Sequence, residues 1–485
     1  MNDREITVAE LAAETGMDRV TLYRYIKGTR TPSDVATVEK ILDALRIRVA
    51  EKQEFLEEYD RLILGEQVVD SYQYVNKLLK ELKYISQNIY LQEHTWKEFV
   101  EMPLNENVIV LNSQKEIELC VISLCEEVFK ANDQDASIHF LMQPTYAPIQ
   151  ELMVSSFLGK NIKIEQIVCL EQSIQKSYRN LEVFRQLLPA CFADMDYEVR
   201  YYYSYLTEHI NEMSWMPNVI LSGSYVLCFD YNMEKGIFVN NKDYASLMHE
   251  QYAFFRKNSE PFLIKTEGLD CTQQLYKAML GDFKDSSTME DKTVNTLFVQ
   301  PCLGMCVSSD VYEEYLHPLP MKEYFIQGMA ATRGDWDGLT HLHSGENLPL
   351  DTVNYFQLGG LKDFMEHGRI REFPSGFYKP LSKETCKTLL QRMFVLLKEG
   401  NMKYKILSDQ VEIPSNMCFY LGGGKRMFMN LVKDDAFIQI QIVERGICQV
   451  FSQYLTYLED KSILSDSEEA EVLLKEFAKE YGIEF

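Results

Sequence analysis

The spacing of apolar side chains predicts three short helices in the first fifty residues. In "VAELAAET", Val8, Leu11 and Ala12 share a face, Thr7 and Glu10 stand at capping-box spacing, and Gly16 stops the helix. Asp18 caps a second helix, "RVTLYRYIK", which ends at Gly28. Pro32 and Ser33 lead into "DVATVEKILDALRI", where Val35, Val38, Ile41, Leu42 and Leu45 follow helical spacing. Helix, Gly-centred turn and helix is the helix-turn-helix arrangement. From Glu51 to Leu91 the pattern stays helical, and Gly65 divides it in two. Val68, Val75, Leu82 and Ile89 recur every seven residues, with Leu78 and Ile85 in the second slot and Ser71 as a flaw. Such a seam either joins two copies or packs on the following domain, and the pattern leaves both open.

After Pro103 short strands alternate with helices. "ASIHFLM", "NIKIEQIVCL" and "YEVRYYYS" read as strands, with helices at "APIQELMVSSFLG" and around Asn180–Leu188 between them. "PNVILSGSYVLCFDYNMEKGIFVNNKDYASLMHEQYAFFRK" then reads strand, strand, turn, strand, helix, and "PSNMCFYLGGGKRMFMNLVKDDAFIQIQIVERGICQVFSQYL" repeats that order. The expectation is a multidomain chain. An all-α helix-turn-helix domain (1–50) and a helical connector (51–95) precede a large α/β region read as two pseudo-repeated halves, 105–265 and 290–485.

Charge tests the first of these readings. The chain has 485 residues and a formal net charge of −24. Residues 1–50 balance eight basic side chains (Arg4, Arg19, Arg24, Lys27, Arg30, Lys40, Arg46, Arg48) against eight acidic ones (Asp3, Glu5, Glu10, Glu14, Asp18, Asp34, Glu39, Asp43). The whole excess therefore lies after residue 50. An acidic bulk weakens non-specific contact with nucleic acid, but a local basic face still binds phosphates.

The eleven cysteines are scattered, without a C-x-x-C, and the N-terminal segment has no apolar core of a signal peptide. Reduced thiols and a cytoplasmic location are expected, with no membrane span.

"ELAAETGMDRVTLYRYIKGTRTPS…VEKILDALRI" resembles the Xre/phage-repressor class of helix-turn-helix domains. The resemblance rests on Leu11-Ala12, Gly16, Asp18, Leu22, Tyr25, Gly28 and Pro32. It implies that the second helix enters the major groove of double-stranded DNA. Carried over by position, Arg19, Val20 and Arg24 face the bases with Tyr23 beside them, and Thr21, Lys27, Thr29 and Arg30 lie near phosphates. The residue types suit base reading, since arginine grips guanine O6/N7 and Val20 can touch a thymine methyl. Thr7-Val8 departs from the many relatives that carry a phosphate-binding Gln there.

The order of elements in each C-terminal half resembles the phospholipase D-like fold, inactive versions of which serve as sensors in TrmB-type regulators. Active members carry H-x-K-x4-D. This chain has Gly223, Tyr225 and Asp230 at the matching place, and Gly423, Lys425 and Asn430 in the second half. A phospho-histidine mechanism needs the missing nucleophile, so no enzyme activity is expected.

Other chemistry is thin. "RGDWDGLTHLHSGEN" places His341 and His343 on one face of a strand near Asp335, Asp337 and Glu346, with Trp336 between acids. A pair without a defined third ligand reads as a polar loop rather than zinc. "LGGGKR" lacks a phosphate-loop signature and reads as a β-turn, and "QPCLGMC" reads as a strand running into a turn. Tyr201–Tyr203 sends two rings to one strand face and one to the other, and the acidic C-terminal helix reads as a solvated outer face. No catalytic, cofactor or metal site is expected.

The chain thus reads as a homodimeric, DNA-binding transcriptional regulator whose C-terminal region senses a small-molecule effector or binds a partner. The alternatives are an enzyme tethered or autoregulated by its helix-turn-helix, which any hydrolase activity would favour, and an interaction protein, which absence of DNA binding would favour.

Overall fold

The computed structural model describes residues 6–88, 102, 104–130, 137–144, 147–159, 162–173, 178–204, 216–268, 271, 293–318, 351–398, 402–422, 425–433, 435–460, 464–465 and 467–483. The chain divides into two compact units, Met1–Gln73 and Tyr74–Phe485.

In the first unit α1 (Val8–Thr15), α2 (Arg19–Ile26) and α3 (Val35–Ala44) start where their caps stand. Thr7 and Glu10 form the full capping box, Asp18 accepts from the Thr21 N–H at 2.9 Å, and Asp34 accepts from the Thr37 N–H at 2.7 Å. Gly16 and Gly28 take the left-handed conformation that the turns after α1 and α2 need. One buried leucine from each helix (Leu11, Leu22, Leu42) fills the small core. α4 (Val49–Leu64) follows and carries Tyr59, whose hydroxyl donates to the Pro32 C=O at 2.9 Å. Gly65, at φ 93°, separates α4 from α5 (Glu66–Asn88), as the sequence pattern predicts.

The boundary between the units falls inside α5. Val75, Leu78, Leu79 and Leu82 are completely buried within the single chain. This part of α5 packs in the second unit: Arg185 pairs with Glu81 at 3.0 Å, and the Tyr454 hydroxyl donates to Asn76 at 2.5 Å. Of the two uses open to the heptad seam, these residues serve packing. Ile89 and the side chain of Ile85 lie outside the described residues.

The second unit begins with β1 (Val108–Leu111), α6 (Gln114–Lys130), β2 (Ser137–Leu141), α7 (Ala147–Phe157), β3 (Lys163–Glu171), α8 (Tyr178–Phe192) and β4 (Asp196–Ser204). Then come β5 (Asn218–Ser222), β6 (Tyr225–Phe229), β7 (Gly236–Asn240), α9 (Lys242–Lys257) and β8 (Glu260–Glu267). The rest is β9 (Thr293–Leu297), α10 (Ser309–Tyr315), β10 (Asp351–Gln357), α11 (Leu358–His367), α12 (Lys383–Lys398), β11 (Met402–Leu407), β12 (Met417–Gly422), β13 (Arg426–Val432), β14 (Phe437–Ile442), α13 (Arg445–Asp460), β15 (Leu464–Ser465) and α14 (Ser467–Glu480).

Among the described residues the strands form one mixed sheet of fifteen, in the order β1-β7-β6-β5-β2-β3-β4-β8-β14-β13-β12-β9-β10-β11-β15. β2, β3 and β4 are parallel, with antiparallel β5, β6 and β7 extending from β2 and β8 lying against β4. β9, β10 and β11 are parallel, with antiparallel β12, β13 and β14 extending from β9 and β15 lying against β11. β8 joins these two sets by pairing with β14.

β3 is buried along its length after Lys163, as a central parallel strand must be. Its polar Gln166 is satisfied by the Tyr197 hydroxyl at 2.7 Å and the Met142 C=O at 3.2 Å.

Two local expectations change. "QPCLGMC" is not a strand, since β9 ends at Leu297 and Leu303–Cys306 forms a 3-10 helix. α14 does not merely face solvent: Ala470, Leu474, Phe477 and Ala478 enter a core shared with α11, α12 and β11. Tyr201 and Tyr203 do share a strand face, with ring centroids 5.2 Å apart, while Tyr202 packs near Phe255 on the other.

Candidate nucleic-acid interface

α2 is a helix of eight residues with one buried side chain, Leu22. Helical geometry puts Val20, Tyr23, Arg24 and Lys27 on the side away from Leu22, with Arg19 at the flank. All five are exposed, Val20 by 62% and Tyr23 by 53%. Arg30 is exposed just beyond the turn, and Tyr25 is half-buried. Among the described residues Arg19, Arg24 and Arg30 enter no ion pair. Farther along, Arg48, Lys52 and Arg61 are paired with Glu51, Asp43 and Asp70. The basic residues on and beside α2 are thus available to an external anion.

The polar side chains among the predicted contacts already serve the helix itself. Thr21 is half-buried and sits against Asp18, whose carboxyl its hydrogen bonds hold below the ordinary aspartate range, aided weakly by Arg24. An ionised Asp18 at the N-terminus of α2 also suits the helix dipole. The Thr29 hydroxyl donates to the Arg24 C=O at 3.2 Å, and the Thr29 N–H binds the same oxygen at 3.0 Å, closing the C-terminal turn. Lys27 holds its ammonium 5.3 Å from the centroid of the Tyr23 ring. That cation–π pair was not readable from spacing alone, and it fixes a charge beside an aromatic surface.

Several of the positions matching H-x-K-x4-D have local structural roles. Gly223 sits in the β5–β6 turn at φ 55°, and the Tyr225 ring stacks on Phe238 with centroids 5.8 Å apart. Asp230 accepts from the Glu234 and Lys235 N–H groups at 2.7 and 3.1 Å, stapling the β6–β7 turn. Asn430 is buried and accepts from Gln439 at 3.0 Å, and Lys425 is exposed in a turn where its N–H binds the Gly422 C=O. Gly423, His341, His343, Asp335, Trp336, Asp337 and Glu346 lie outside the described residues.

The described residues contain no group of three or more His, Cys, Asp or Glu that could hold a metal ion, and no helix long and apolar enough to cross a membrane. All eleven cysteines are free thiols; burial pushes Cys120, Cys169 and Cys191 up to about 12.

No curated protein matches the sequence. Among solved structures, TrmBL2, an archaeal chromatin protein, is similar at 13% identity over 48% of this chain and 73% of its own, with a TM-score of 0.22. Phosphatidylserine synthase from Haemophilus influenzae is similar at 9% identity over 81% and 97%, with a TM-score of 0.22. Polyphosphate kinase from Porphyromonas gingivalis is similar at 10% identity over 73% and 46%, with a TM-score of 0.20. Residues 1–52 match the family model of the Cro/C1-type helix-turn-helix DNA-binding domain, so sequence family and local geometry agree that this part of the chain is a DNA-binding module.

Proposed function

We propose that the protein is a sequence-specific transcriptional regulator in which two copies bind a two-fold DNA site and the C-terminal region acts as a ligand-sensing or partner-binding domain. The observation that carries this reading is the outer face of α2. Among the described residues Arg19 and Arg24 enter no ion pair, and Val20 and Tyr23 stand exposed, on a helix whose one fully buried residue is Leu22. Exposed side chains of this kind contribute nothing to the packing of the fold and match what base edges and a thymine methyl require. Arg19, Val20, Tyr23 and Arg24 are assigned to bases and Lys27 and Arg30 to the neighbouring backbone, while Thr21 and Thr29 are spent at the two ends of α2.

Pairing of two copies follows from the few base pairs that one such module spans. The buried residues of α5 are unavailable for it, whereas α4 exposes Phe55, Leu62, Ile63 and Leu64. The second unit is read as two related halves, 105–265 and 290–485, because the pairings around β2–β7 recur around β9–β14. A scaffold without catalysis fits the turn-capping role of Asp230 and the stacking of Tyr225. A cytoplasmic protein fits a DNA partner and free thiols.

The test is fluorescence anisotropy of the full chain on the promoter DNA of its own gene, beside a scrambled duplex, at two salt concentrations. Selective binding that disappears in the Arg19→Ala/Arg24→Ala variant is expected. Equal affinity for both duplexes would reject the regulator reading.

A further inference from the structure

β4 and β8 pair through only three residues. Val199, Arg200 and Tyr201 oppose Leu263, Pro261 and Glu260, and the register slips between Val199 and Arg200. N-terminal to Val199 the strands part. Asp196, Tyr197 and Glu198 keep their partners in β3 but have none in β8, while β8 continues to Glu267 against β14. The parting leaves an open groove of about 740 Å³.

Both walls of the groove are strand edges. The Gly268 N–H donates to the Phe437 C=O at 3.1 Å, continuing the β8–β14 ladder. Antiparallel alternation then turns the peptide groups of Lys265 and Glu267 away from β14 and toward β4. Tyr197, two residues before Val199, presents its own peptide groups from the opposite wall by the same alternation. Open N–H and C=O groups of this kind are a template for an added strand.

The charged side chains lining the groove are mostly acidic. Asp194, Asp196, Glu198 and Glu267 line it, with Lys265 as the cation. Lys265 is already committed, donating to the Ala193 C=O at 2.6 Å and pairing with Glu267 at 2.5 Å. Glu198 is held by Arg200 at 3.2 Å and Lys163 at 3.4 Å. Asp194 and Asp196 are exposed and enter no ion pair among the described residues. Strand alternation places Asp196, Glu198 and the half-exposed Ile264 on one face of the sheet.

We propose that this groove receives an extended, lysine- or arginine-rich segment of a partner protein, which adds as a strand between β4 and β8. Its basic side chains meet the unpaired carboxylates of Asp194 and Asp196, and the residues between them turn to the other face. The peptide groups bind the open edges of Tyr197, Lys265 and Glu267. The acidic lining selects a basic polypeptide and repels nucleic acid, so this site is separate in partner and chemistry from α2.

The test uses the full chain and a fluorescein-labelled Lys-Val-Lys-Val-Lys-Val-Lys peptide, followed by anisotropy. Two control peptides accompany it: one with alternate backbone nitrogens methylated, which keeps the charge but deletes N–H donors, and one with Glu for every Lys. The Asp194→Asn/Asp196→Asn variant removes two exposed carboxylates that anchor nothing in the fold, and circular dichroism checks that it folds. Saturable binding of the lysine peptide is expected, with none for the glutamate peptide. Methylation and the double substitution are each expected to weaken it about tenfold or more, the scale of one or two lost hydrogen bonds or charge contacts. Absence of saturable binding overturns the proposal. So does equal binding of the methylated peptide, which would mean attraction to the acidic surface at large, and so does unchanged affinity in the variant, which would put the site elsewhere.

Discussion

The Tyr203 hydroxyl donates to Glu444 Oε1 at 2.6 Å, linking two residues 241 positions apart. Glu444 is buried at the start of α13, where its carboxylate also accepts from the N–H groups of Gly446 at 3.0 Å and Ile447 at 2.7 Å. One side chain therefore caps a helix and ties it to β4. Burial and the neighbouring carboxylate push the Tyr203 phenol up, so it remains a donor at any ordinary pH. Tyr203→Phe removes one bond and is expected to cost about 1 kcal/mol, whereas Glu444→Ala strands two helix N–H groups and should cost about 3 kcal/mol. Differential scanning calorimetry checks the ranking. A Tyr203→Phe loss equal to that of Glu444→Ala would mean that the cap contributes nothing.

Arg24 and Lys27 are both exposed on α2, yet they should fail differently. Arg24→Ala is expected to lose about 1–3 kcal/mol on the cognate duplex and to relax base preference. Lys27→Ala should weaken all duplexes alike and flatten the dependence of log K on log salt by about one unit. Equal losses for Arg24→Ala on cognate and scrambled DNA would remove it from base reading.

Acid should reach the first unit through its caps. Hydrogen bonds from Thr7, Thr21 and Thr37 hold the carboxyls of Glu10, Asp18 and Asp34 below their ordinary values. A depressed folded pKa contributes stability that is present above the unfolded value, near 4, and is lost as pH falls through the folded value. The Asp18→Asn/Asp34→Asn variant keeps cap acceptors but cannot titrate. Circular dichroism melts from pH 6 down to pH 3 should show a shallower loss in the variant than in the parent. Identical curves would mean that these caps do not couple to folding.

Legibility from sequence followed the range of the interaction. Thr7, Asp18, Gly16, Gly28 and Gly65 act on their own neighbours, so spacing alone located the helices and turns of the first unit. The face of α2 was legible for the same reason, since one buried leucine fixes the direction of every other side chain. What spacing could not decide was which polar groups were already spent: Thr21 in the cap of α2, Thr29 on the Arg24 carbonyl, Asp230 in a turn. The heptad of α5 was visible, but not that Val75, Leu78 and Leu82 would be covered by the same chain. "QPCLGMC" misled because an apolar run reads alike as a strand or as a buried bend. The parting of β4 from β8 lies beside a register slip between distant segments and leaves no local signature.

Gly359 and Gly360 at the start of α11 test that distinction at adjacent positions. Sequence treats them alike, as two glycines that weaken a helix. In the fold, a Cβ on Gly359 would meet nothing within 4 Å, but one on Gly360 would lie 1.8 Å from the Val299 carbonyl oxygen and 2.5 Å from its carbon. Those atoms are backbone and cannot swing aside, and the Gln357 N–H donates to the same oxygen at 3.2 Å. Gly359→Ala should therefore gain about 0.5–1 kcal/mol from helix propensity. Gly360→Ala must push β10 and the chain after β9 apart and should cost more than about 3 kcal/mol, beyond ordinary overpacking. Urea unfolding of both variants measures the difference. Two similar values would show that α11 does not pack against Val299 in solution.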